Sequence, residues 1–216
     1  AGTVNISNTT ISDNSAGVMG GGMQVYFFAN VTVTASTVSG NMAGFGGGGI
    51  SNQENATLAL TNTTVSGNTA AGNGGGIDSS VMLTLTNSTL TGTAADWTGI
   101  SVNLTNDGTV SISDTLFTGT TGGNQAGIEF VVDGGGTATP TAGLALDDNT
   151  ITLGGVTPLA ISLSAINGGL INPLSGLGNL ATDGTNDLTG SELFDANGTD
   201  ASISGSLEIN SAVVFP

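Results

Sequence analysis

VSGNTAAGNGGGI, Val65 to Ile77, sets three consecutive glycines against an isoleucine, nine residues after an asparagine. Twenty-seven residues earlier the chain reads VSGNMAGFGGGGI, Val38 to Ile50, and twenty-seven before that ISDNSAGVMGGGM, Ile11 to Met23. A fixed period of this size marks a repeat architecture, in which each unit buries its apolar face against the next.

Working outward, each copy opens with two apolar residues at alternate positions and has a third seven after the first. The openings fall at Val4, Val31, Leu58, Leu83, Val110 and Leu144, spaced 27, 27, 25, 27 and 34 apart. The third apolar positions are Ile11, Val38, Val65, Leu90, Phe117 and Ile151, and a further anchor after the glycines falls at Met23, Ile50, Ile77, Ile100, Ile128 and Ile161. The long last interval places an insertion at Asp133 to Ala142.

The openings TVNIS, VTVTA, TLALT, LTLTN and TVSIS alternate apolar and polar, the period of a strand with one buried face. The third-position runs are equally rich in β-branched residues, and no segment carries apolar residues at helical spacing. Three short strands per ~27 residues are too few for a propeller blade, which takes about 40 residues. They predict an all-β, single-stranded parallel β-helix, its rungs stacked ~4.8 Å apart so that equivalent positions lie over one another. Asn14, Asn41 and Asn68 then form a hydrogen-bonded ladder, with Thr10, Thr37, Thr64 and Thr89 parallel to it. The glycines turn a corner that needs positive φ, and they remove side chains where stacked backbones approach.

Composition closes off several functions. The chain has 16 acidic residues and no Lys, Arg, His or Cys. A net charge of −16 repels nucleic acid and anionic membranes, and phosphate loops lack their lysine. Without His or Cys the commonest general base, metal ligands and disulfides are missing. No run approaches the roughly 20 apolar residues of a membrane span. The start at Ala1, without an initiator Met or a basic-then-apolar leader, fits a mature secreted chain or a fragment.

The coupling of ISDN, VSGN and VSGN with GGGM, GGGI and GGGI resembles the FxxN and GGA[ILV] repeat of bacterial polymorphic outer-membrane proteins and related surface β-helices. Ile11, Val38 and Val65 stand in place of Phe, and Gly in place of Ala. The resemblance covers residues 2–169 in period and 2–77 in motif. It implies a right-handed parallel β-helix exported to the cell surface, with adhesive or structural roles.

Residues 1–169 thus read as a β-helix of about six recognisable rungs, and 170–216 as irregular terminal rungs with a C-terminal strand. Asp147 and Asp148 could be imagined as the paired carboxylates of a glycoside hydrolase. They lack the Arg, Lys and His that accompany such pairs, so they read as turn residues and the chain as no enzyme. No cofactor is expected apart from calcium, which needs only oxygen ligands; weak candidates are Asp183, Asp187, Glu192 and Asp195. Asp78 follows GGGI once, but Ser51 takes its place one rung earlier, so no ladder of Asp exists. Met19, Met23, Tyr26, Phe27 and Phe28 read as packing between rungs, and Trp97 as a corner filler. Eight N-glycosylation sequons decide little in a chain this rich in Ser and Thr.

Two functions stay open. One is a structural subunit of an extracellular filament or surface layer, its partner other copies of itself. It would assemble end to end by rung stacking or by addition of the strand carrying Leu207, Ile209, Val213, Val214 and Phe215. The other is a carbohydrate-binding surface β-helix, an adhesin or passenger-domain fragment, with glycans as partners.

Overall fold

The computed structural model describes residues 2–92, 98–121, 126–135, 140–155, 159–182, 194–197 and 203–215. The chain is a parallel β-solenoid of about six turns, and no helix occurs among the described residues. Three columns of strands, here called the first, second and third sheets, run along the axis, the first two joined through Leu170–Thr182.

The first sheet collects the alternating openings, from Thr3–Ser7 and Asn30–Thr34 to Thr141–Asp147 and the start of Leu170–Thr182. The second collects Thr10–Ser12, Thr37–Ser39, Thr64–Ser66 and their successors to Thr150–Gly155. The third runs from Met23–Val25 through Ile50–Asn52 and Ile77–Ser79 to Phe194–Asn197. Register follows the repeat: Val31 pairs with Leu58, Val38 with Val65 and Ile50 with Ile77. All of these anchors are buried, each contributing about 1.5–3 kcal/mol of apolar burial.

A fourth strand of two residues, unforeseen in the period, appears in the first three rungs at Ser15–Ala16, Met42–Ala43 and Thr69–Ala70. It lies between the asparagine and the glycines, a stretch with no alternation to reveal it. In later rungs the second-sheet strand lengthens instead, to Leu116–Thr121 and Thr150–Gly155.

The corner between first and second sheets uses one left-handed residue per rung: Asn8, Ala35, Asn62, Asn87, Asp114 and Asp148, with φ between 47° and 52°. Asn and Asp tolerate this conformation because their short polar side chains bond locally; Ala35 lacks that help and costs about 1 kcal/mol. The residue following several of these corners donates its backbone N–H to a side chain of the next rung. Thr9 N–H donates to Ser36 Oγ, Thr63 N–H to Ser88 Oγ and Thr115 N–H to Asn149 Oδ1.

Gly48 and Gly49 show why the triple glycine is needed. A Cβ on Gly48 would strike the carbonyl oxygens of Thr69 and Gly75, and one on Gly49 would meet Gly76 O and the Asn68 amide. Gly47, at φ 64°, makes the turn itself.

Candidate functional site

The asparagine ladder forms as the spacing predicts. Asn14 Nδ2 donates to Asn41 Oδ1 at 3.0 Å and Asn41 Nδ2 to Asn68 Oδ1 at 3.0 Å. The same oxygens accept the backbone N–H of Asn14 and of Asn41, and Nδ2 of Asn41 and of Asn68 also reaches Ile11 O and Val38 O. A second ladder, absent from the sequence reading, links Asn149 to Asn179 at the other corner. Its members are 30 residues apart, outside the regular period.

Asp147 and Asp148 belong to a corner. Asp148 is one of the left-handed residues, and Asp147 Oδ1 accepts the N–H of Leu177. Trp97, Asp183, Asp187 and Glu192 lie outside the described residues. Asp195 is in the third sheet, its backbone paired with Ser162, and its side chain is outside the description.

Tyr26, Phe27 and Phe28 correct the expectation of inter-rung packing. All three are exposed, Phe27 by 64% and Phe28 by 59%, while Met19 and Met23 are half-buried. The cause is backbone conformation. Phe27 and Phe28 both have positive φ in a turn stacked on that of Glu54 and Asn55, which sends their side chains off the rung.

The two ends of the solenoid differ. At the first rung Thr3–Ser7, Thr10–Ser12, Ser15–Ala16 and Met23–Val25 each stand at the edge of a sheet with one neighbour. Val4 is 48% exposed where Val31, its partner in the next rung, is 5% exposed; Ile6, Ile11 and Met23 are half-buried. Among the described residues, seven of the eleven exposed large apolar side chains fall between Val4 and Phe45, so the exposed apolar surface concentrates at this end.

The other end is folded over. Leu207 and Ile209, expected at a junction between molecules, are buried in this chain's own core, their strand parallel to residues 171–179. Asn210 and Ser211, both at positive φ, make a two-residue turn that returns Ala212–Phe215 antiparallel along Ile203–Ile209. Asn210 pins the turn, exchanging hydrogen bonds with both the N–H and C=O of Ala181. The side chains of Val213, Val214 and Phe215 lie outside the description; their backbone forms this return strand.

Chemistry concentrates on the outward face of the third sheet. Register puts Gln24, Ser51, Asp78, Ser101, Glu129 and Ser162 in one column, hydroxyls alternating with carboxylates from Ser51 onward. Reading for an unbroken Asp ladder conceals this alternation. Asp78 lies beneath the glycine loop, 8% exposed, with Oδ2 accepting from Gln53 Nε2 at 3.1 Å; Gln53 Oε1 in turn accepts from Ser80 Oγ. A Cβ on Gly46 would come 2.7 Å from that same Oδ2. Ser101 Oγ donates to Glu129 Oε2 at 2.9 Å. Among the described residues no three acidic side chains converge as a metal cluster.

Burial, reinforced by the charge of Glu129, pushes the Asp78 carboxyl up to about 6. The native chain therefore keeps this proton to about pH 6, whereas the unfolded chain releases it near 3.8. Its contribution to stability falls as pH rises from about 4 through about 6. With divalent cations chelated, Asp78→Asn, which retains an oxygen for Gln53, should be more stable than the native chain near neutral pH by about 2–3 kcal/mol. Urea unfolding at several pH values checks this, since the gap should close towards pH 4. The difference between the two chains is the quantity to read. Asp133 is shifted the opposite way, lowered by the Gly135 N–H and by the Asn167 side chain.

Compared with protein-family models, curated proteins and solved structures, the chain finds no match.

Proposed function

We propose that the chain is a structural subunit of an extracellular filament or surface layer, built by end-to-end association through the first rung. The observation that carries this is the first described rung, where four strands each have a single neighbour and Val4, Ile6, Ile11 and Met23 are only partly covered. Strand edges template further pairing, and the half-exposed apolar side chains beside them add a cohesive surface. A second copy laid on it would continue both the backbone hydrogen bonding and the apolar columns. The resemblance to bacterial surface β-helices supports an exported location. The absence of Lys, Arg and His supports a non-catalytic role.

The exposed pair Tyr26 and Phe27, ring centroids 4.2 Å apart and edge-on, favours a second reading in which the first rungs stack against sugar. One experiment addresses both. Sedimentation and electron microscopy at about 0.15 M salt, where surface repulsion is screened beyond ~8 Å, should show concentration-dependent assembly. Val4→Asp should abolish it without lowering the melting temperature, because Val4 lies outside the enclosed core. A chain that remains monomeric at every concentration, or Val4→Asp assembling like the native protein, refutes assembly. Glycan binding lost in Phe27→Ser would then support the second reading.

A further inference from the structure

A carboxylate taken out of water needs a partner, a proton or a metal ion. This sequence offers Asp78 no cationic side chain, because it contains no Lys, Arg or His. What surrounds Asp78 is more oxygen: Ser51 one rung before it in register, Ser101 one rung after, and Glu129 beyond. Ser101 is committed to Glu129 and Gln53 donates to Asp78. Ser51 is committed to nothing: its Oγ is buried without a hydrogen-bond partner, and the residue is 0% exposed. It projects from the same face as Asp78. Both lie under the same loop, Gly46 against the Asp78 carboxylate and Gly47 against the Ser51 backbone. A buried hydroxyl left unbonded costs about 1–3 kcal/mol, so its persistence beside a buried carboxylate calls for an occupant.

We propose that Ser51 Oγ and the Asp78 carboxylate bind a divalent cation, calcium by preference, under the Gly46–Gly47 loop, with Glu129 adding charge from two rungs away. Calcium fits because every group present is an oxygen donor and calcium tolerates irregular, partly hydrated coordination, whereas magnesium demands near-octahedral geometry at short distance. The alternation of hydroxyl and carboxylate serves the site. Acidic residues on adjacent rungs would stand ~4.8 Å apart and repel; separated by a serine they stand about 10 Å apart, leaving an oxygen-lined step between. The small number of charged ligands predicts weak binding, with a Kd of about 0.1–1 mM, in the range of extracellular calcium modules.

The test is calorimetric titration of the full chain with calcium chloride near neutral pH at about 0.15 M salt, which screens diffuse attraction to the acidic surface. Melting temperatures with calcium or with chelator accompany it. The native chain should bind calcium at one site and melt higher with it. Asp78→Asn should lose both effects, and Ser51→Ala should weaken affinity about tenfold. Asp147→Asn, on the opposite corner, should behave as native and so controls for the loss of one surface charge. Equal titrations for the native chain and Asp78→Asn overturn the proposal. So does an unchanged affinity in Ser51→Ala, which would leave the Ser51 hydroxyl to an ordered water.

Discussion

Gly48→Ala should destabilise the protein by about 3 kcal/mol or more, the upper range for forcing atoms into a packed interior. The added methyl would strike two backbone carbonyl oxygens, Thr69 O and Gly75 O, and neither can step aside. The strand from Thr69 is held to its neighbour by Thr69 N–H to Asn41 O at 2.9 Å, and Gly75 O already receives Gly49 N–H at 3.2 Å. Gly67→Ala provides the comparison. Gly67, unlike Gly48, has positive φ, and a Cβ there finds only one atom, 4.0 Å away, so its cost should be conformational alone, about 1–2 kcal/mol. Urea unfolding of both variants reads the difference. A loss in Gly48→Ala no larger than in Gly67→Ala would show that contact between rungs is not what fixes Gly48.

Asn68→Ala comes next in size. The Asn68 side chain accepts from Asn41 N at 2.9 Å and Asn41 Nδ2 at 3.0 Å, and donates to Val38 O at 2.9 Å. Truncation leaves the Asn41 N–H and one Asn41 Nδ2 hydrogen without an acceptor, the other keeping Ile11 O, and removes a donor from Val38 O, where Asn41 and Asn68 are almost wholly buried. At about 1–3 kcal/mol for each unsatisfied group, a loss on the order of 3 kcal/mol or more is expected, even with partial relaxation. Asn14→Ala, at the exposed start of the same ladder, should cost under about 1 kcal/mol, since Asn41 would retain its bonds to Ile11 O and Asn68. Chemical denaturation of the two variants side by side gives the ratio.

The solenoid is legible in the sequence because stacking turns equivalence in space into equivalence in number. Val31, Leu58 and Leu83 share a column, so their spacing is the rung length, and the glycine and asparagine positions follow with it. Legibility fails where a contact leaves the period. The Ala212–Phe215 return strand depends on the conformation of Asn210 and Ser211, which alternation in the preceding strand does not encode. Phe27 and Phe28 misled because hydrophobicity marks what gains from burial, whereas a left-handed turn decides where the side chain points. The hydroxyl and carboxylate column was visible only in fragments, since Ser51 and Asp78 differ in kind and look unrelated until register sets them side by side.

In the first three rungs every ladder bond of the asparagine corner joins residues 27 apart, which makes the molecule's length a counted quantity. Removing or duplicating one whole repeat there would change the axis by about 4.8 Å and return every donor to an acceptor of the same kind. A gain or loss of one residue more or fewer would turn each downstream anchor away from its column. Such a chain can vary in length by recombination in whole steps, and the surface it spans becomes a reading of how many steps its gene contains.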